Sequence, residues 1–131
     1  MRPEPLPSGA PGTPILVVED NEVNAMILRA MLRKHGYEPV LAKNGEEGVE
    51  MTRRHRPGLV LMDLQMPRLD GFAAASAIRA ACGGAVPAIV AVTANAGADV
   101  REACRAAGFA SVLAKPIVLD ELIATVRQHL P

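Results

Sequence analysis

Five short apolar runs punctuate this chain, and between them apolar residues recur at helical spacing. Ile15-Leu16-Val17-Val18 is uninterrupted and β-branched, the pattern of a strand buried on both faces. Glu19 and Asp20 end it, and Asn21 stands where a helix N-cap belongs. Val23, Met26, Ile27, Ala30 and Met31 then repeat with helical spacing, and Gly36 occupies the place of a C-terminal cap. That stripe, with its Met26/Met31 pair, is expected to pack on the core. Residues 38–42 form a second, weaker strand. A helix opens at Asn44 or Gly45 and runs to about Arg54, where Arg56-Pro57-Gly58 breaks it. Leu59-Val60-Leu61-Met62 predicts a third strand ending at Asp63. A loop over residues 65–70, containing Pro67, leads to a helix over about 71–81 that Gly83-Gly84 stop. Residues 88–92 predict a fourth strand ended by Thr93, followed by a helix over about 98–107 closed by Gly108. Residues 111–114 are a fifth strand ended by Lys115-Pro116. The last helix, about 119–130, carries Leu122, Ile123, Val126 and Leu130 on one side.

Strands alternating with helices imply parallel pairing through right-handed crossovers. The expected fold class is α/β: a three-layer sandwich of five parallel strands with helices on both faces. A chain of 131 residues suits one domain with one core. Residues 1–13, rich in Pro, Gly and Ser, read as a disordered lead or linker before a domain over 14–131.

Composition removes several classes of function. With 14 basic and 14 acidic residues the formal net charge is zero, so nothing draws the whole chain to nucleic acid or an anionic membrane. Tyr37, Phe72 and Phe109 are its aromatics, too few for a base-stacking surface. No apolar run approaches the roughly 20 residues needed to span a bilayer. The N-terminus lacks an apolar signal region, which makes a cytoplasmic location the expectation. Cys82 and Cys104 have neither CxxC nor zinc-ligand spacing and read as reduced, packed thiols.

Parallel strands share one C-terminal edge, where ligands of open α/β sheets bind. Four of the five runs end there in residues suited to phosphate chemistry: Glu19-Asp20, Asp63, Thr93 and Lys115. Crowded carboxylates repel one another unless a cation relieves them. Mg²⁺ prefers such oxygen ligands. An ammonium and a hydroxyl suit phosphoryl oxygens, and a carboxylate can itself attack phosphorus to give an aspartyl phosphate.

Val17-Val18-Glu19-Asp20-Asn21, the run from Met62 to Pro67 with Asp70-Gly71, Val92-Thr93-Ala94 and Lys115-Pro116-Ile117 together resemble response-regulator receiver domains over about residues 14–130. The resemblance implies a flavodoxin-like sheet of strand order 2-1-3-4-5. It implies that Asp63 is the phosphoacceptor, and that Asp20, Asp63 and the Gln65 backbone carbonyl ligate Mg²⁺, with Glu19 acting through water. Thr93 would turn toward the phosphoryl group and Lys115 would pair with its oxygens. Lys115-Pro116 would be cis. The implied phosphodonor is a histidine kinase or a histidine phosphotransfer domain, and the face of helix four, strand five and helix five is the place for a homodimer. The start of the first helix and the run after Asp63 look most like receivers of hybrid histidine kinases.

Two other functions compete. A Mg²⁺-dependent phosphohydrolase with an aspartyl intermediate would want an acid two residues after its nucleophile, and Gln65 cannot serve as one. A pseudo-receiver that only binds partners would have lost an acid or the lysine, and none is lost. Singly, each site residue has a plainer reading: Glu19, Asp20 and Asp63 as helix caps or solvated loop residues, Thr93 as a strand-end hydroxyl, Lys115 as a surface lysine. His35, His55 and His129 share no spacing and read as solvated surface. Arg53, Arg54 and Arg56 read as a solvated helix end. Many receivers carry an aromatic three residues before the lysine. Val112 stands there, which implies a reduced output or one carried by backbone shifts. Gln65 and Asn95 occupy positions that tune dephosphorylation in the family.

Overall fold

The computed structural model describes residues 14–66, 70–83 and 86–130. Strand β1 (Ile15–Val18) leads to helix α1 (Glu22–Lys34), then β2 (Pro39–Ala42), α2 (Gly45–His55), β3 (Leu59–Asp63), α3 (Gly71–Cys82), β4 (Ala88–Thr93), α4 (Ala98–Ala106), β5 (Ser111–Ala114) and α5 (Leu119–His129). All neighbouring strands pair in parallel, in the order β2-β1-β3-β4-β5. The α/β class and the strand order are as expected. The lead 1–13, Pro67 and Gly84 lie outside the described residues.

Alternate residues of each strand serve opposite faces of the sheet. Leu16, Val18, Val60, Met62, Ile89 and Ala91 join Ala74, Ala75, Ile78 and Cys104 in one cluster, beneath α2, α3 and α4. Ile15, Val17, Leu59, Leu61, Val90 and Val92 join Leu28, Leu32, Leu122, Ile123 and Val126 in the other, beneath α1 and α5.

Helix starts follow side-chain capping. Asn21, Asn44 and Asp70 accept from the backbone N–H three residues on, at 2.9, 2.7 and 2.9 Å. Gly36, at φ +88°, ends α1, and the N–H of Tyr37 returns to the Leu32 carbonyl at 3.0 Å. Arg56 holds a left-handed conformation after α2 without being glycine.

The face of α1 differs from expectation. Ala25, Leu28 and Leu32 turn inward, while Val23 and Met26, each 64% exposed, and Ile27, 46% exposed, face solvent. Met31 does pack against the inner cluster. Apolar residues cover more than half the circumference of α1, so periodicity offered two registers, and packing under β1 and β3 chose the one centred on Leu28. Strand β2 begins at Pro39, one residue later than expected, and Glu38 just before it pairs with Arg33 at 2.9 Å.

Candidate functional site

Strand register assembles the site. Val18 lies level with Met62, and Asp63 with Val92, so residues one step past β1 sit beside the end of β3. The ladder continues past the strand ends: Glu19 N–H donates to Ala42, Leu64 N–H to Val92 and Lys115 N–H to Thr93, at 2.9, 3.1 and 2.9 Å. The backbone at Glu19, just after Asp63 and at Lys115 is thereby tied to a neighbouring strand.

One carboxylate oxygen each from Glu19, Asp20 and Asp63 lie within 4.8 Å of one another. Glu19 and Asp63 are buried and Asp20 is exposed, so the cluster opens to solvent on one side. Lys115 Nζ stands 3.0 Å from Glu19 Oε1 and 3.5 Å from Asp63 Oδ2. Asn21 N–H donates to Glu19 Oε2 at 3.2 Å, and Gln65 N–H donates to Asp63 Oδ1 at 3.1 Å. Burial raises the Glu19 pKa above the usual carboxylate range, and Asp63 pushes the same way, against the pull of Lys115 and the Asn21 N–H. For Lys115, burial alone would depress the ammonium. Its pairing with Glu19 and Asp63 outweighs burial and raises its pKa.

Glu19 Oε1 is buried and faces Lys115 Nζ at 3.0 Å, but no well-directed hydrogen bond reaches it. Three carboxylates against one ammonium leave negative charge in excess, in an oxygen-only donor set. These residues suit Mg²⁺, and Glu19, Asp20 and Asp63 could hold it.

Thr93 is buried beside the cluster, but its hydroxyl serves its own loop. It accepts from Asn95 N–H at 3.1 Å and donates to the Asn95 carbonyl at 3.3 Å. The inward turn expected of Thr93 is not the arrangement seen. Lys115-Pro116 is cis, as the resemblance implied. The Gln65 side chain is exposed, while Leu64 and Met66 on either side are buried.

Two contacts went unread in the sequence, although both residues were noted there. Gly71 N–H donates to the Leu64 carbonyl at 3.2 Å, and a Cβ there would meet the Asp63 carbonyl at 2.5 Å and Leu64 Cα at 2.7 Å. Helix α3 can press against the Asp63 loop only because residue 71 is glycine. Its signal was present in Asp70-Gly71, without the reason. Asn95 holds Thr93 through its main chain, which no side-chain pattern announces. Val112 is half-buried against the cluster under α3 and α4, and has no ring to move.

Residues 15–127 match the response regulator receiver domain family. The chain is 33% identical over 116 residues to the polar-differentiation response regulator DivK of Brucella anthropi, covering 88% of this chain and 94% of that one. It is 41% identical to the receiver domain of sensor histidine kinase PA1611 of Pseudomonas aeruginosa, whose crystal structure has a magnesium ion coordinated in the active-site cleft. That likeness has a TM-score of 0.82 and covers 91% of this chain and 98% of the other. The receiver domain of Saccharomyces cerevisiae Ssk1, crystallised with the histidine phosphotransfer protein Ypd1, is 34% identical with a TM-score of 0.84, covering 92% and 90%. The acidic cluster at the strand ends, the lysine beside it and these likenesses agree: the chain belongs to the response regulator receiver domains, the signalling switches of two-component systems.

Proposed function

We propose that Asp63 is the phosphoacceptor, within a switching unit of residues 14–131. The observation that carries this is the convergence of Glu19, Asp20 and Asp63 within 4.8 Å, with Lys115 paired to two of them. An Asp63 oxygen attacks phosphorus of a phosphohistidine; the P–O bond forms as the P–N bond breaks, and the imidazole departs. Asp20, Asp63 and the Gln65 carbonyl would hold Mg²⁺, with Glu19 acting through water. When bound, the metal neutralises charge on the phosphoryl oxygens. Lys115 transfers its pairing from Glu19 and Asp63 to those oxygens. The Thr93 hydroxyl leaves Asn95 and donates to the phosphoryl group. Self-phosphorylation from small phosphodonors and slow self-dephosphorylation follow from the same groups. Gln65 supplies no acid for a phosphohydrolase.

The donor is a histidine kinase or histidine phosphotransfer domain, and the exposed Val23, Met26 and Ile27 supply its docking face. They lie on α1, which starts at the acidic edge, and Val118, 50% exposed, stands at the start of α5 on the same side of the sheet. A donor must cover this edge to reach Asp63. The face of α4, β5 and α5 is the surface for a second copy, checked by sedimentation with and without phosphorylation. A cytoplasmic location belongs to the same reading, supported by two unpaired thiols, Cys82 and Cys104.

The test is acetyl phosphate with Mg²⁺, followed by intact mass. One phosphoryl group is expected, absent in Asp63→Ala and blocked by EDTA. Labelling unchanged in Asp63→Ala contradicts the assignment.

A further inference from the structure

Away from the acidic site, and among the described residues, one buried side-chain donor lacks an acceptor: Nη2 of Arg79. Arg79 lies on α3, and its guanidinium carbon sits 5.7 Å from the centre of the Phe109 ring. It also crowds Gly108, where a Cβ would stand 3.2 Å from Nη2. Gly108, at φ +90°, and Phe109 form the turn between α4 and β5. The Phe72 ring meets Phe109 edge-on, with centroids 5.5 Å apart at 81°. Phe72, in the first turn of α3, also lines a groove of about 310 Å³ that Thr93, Asn95 and Val100 share. Phe72 thus shares a groove with Thr93, and from Phe72 the contacts run through Phe109 to Arg79 and the α4–β5 turn.

Two features leave this path room to rearrange. The Thr93 hydroxyl is held by Asn95, so its turn toward a phosphoryl group reshapes the groove wall that Phe72 shares. Helix α4 is lightly anchored, with Cys104 its one fully buried residue and no side-chain cap at Gly97. Val112, three residues beyond Phe109, has no ring of its own to carry a signal.

We propose that the Phe72–Phe109–Arg79 stack couples the position of Thr93 to the α4–β5 turn, carrying the switch to the surface beside Val112. This rests on the reading of Asp63 as phosphoacceptor.

The experiment compares amide NMR spectra of the full chain before and after acetyl phosphate with Mg²⁺, for the wild type, Phe72→Leu and Arg79→Gln. Phosphoryl occupancy is read by intact mass on the same samples. In the wild type, Gln65, Thr93, Phe109 and Val112 are expected to shift. In both variants the Gln65 and Thr93 shifts persist, while those of Phe109 and Val112 shrink severalfold. A merely structural role would alter the unphosphorylated spectrum and leave this difference intact. Wild-type shifts at Phe109 and Val112 in either fully labelled variant overturn the proposal, as does a labelled wild type with no shift there. Should Phe72→Leu fail to fold, Arg79→Gln, at a partly buried position, decides alone. A wild type that takes up no phosphoryl group overturns the phosphoacceptor reading instead.

Discussion

Changing Met26 and Ile27 together to serine removes apolar area that α1 shows to solvent, and it separates docking from folding. Fully burying one such side chain is worth about 1.5–3 kcal/mol. At exposures of 64% and 46%, about half of that remains to be gained from a partner. The two together should contribute roughly 1.5–3 kcal/mol to a donor complex, so the double change weakens binding roughly 10- to 150-fold. Leu28, the next residue, is 3% exposed, and Leu28→Ala should cost about 3 kcal/mol of folding stability. The assay pairs thermal melts with phosphorylation rates from two donors. Acetyl phosphate needs no docking surface, so Met26→Ser/Ile27→Ser should accept from it at the wild-type rate. Transfer from a phosphorylated histidine phosphotransfer domain, at donor concentrations below saturation, should fall by the factor given. Equal loss with both donors, or a melting temperature lowered as far as in Leu28→Ala, would refute the assignment of this face.

Other outcomes follow from the acidic edge. Mg²⁺ at a hundred times its dissociation constant should stabilise the fold by about 2.7 kcal/mol, raising the melting temperature by roughly 10 °C, with EDTA reversing it. In EDTA, Glu19 is a buried carboxylate with a raised pKa, so the folded state binds its proton more tightly than the unfolded chain does. Its contribution to stability therefore declines as pH rises from the ordinary value of 4.5 through the raised one, and Glu19→Gln should melt higher than the wild type at neutral pH in EDTA. Gly71→Ala forces a methyl into the Asp63 carbonyl and should cost about 1–3 kcal/mol in a denaturant titration, and slow phosphorylation by displacing that loop.

Strand positions were readable because a parallel strand buried on both faces is an unbroken apolar run, as in Ile15–Val18 and Leu59–Met62. Once the strands are parallel, the residue types at their ends place Glu19, Asp63, Thr93 and Lys115 on one edge. Asn21 and Asn44 were readable as caps because their chemistry is local. The face of α1 was not, since its apolar residues fit two registers and the sheet decides between them. Nor were the contacts that join distant segments: Gly71 against the Asp63 carbonyl, Asn95 holding Thr93, and Phe72 against Phe109. Each depends on how close two elements pack, which spacing along one of them does not encode.

The phosphoryl-accepting carboxylate can be located directly. Borohydride reduces an aspartyl phosphate to homoserine, and peptide mass mapping then finds the altered residue. After phosphorylation in Mg²⁺, homoserine is expected at position 63 and nowhere else. Homoserine at position 20, or a phosphoryl group stable to borohydride on His35, His55 or His129, would contradict the account.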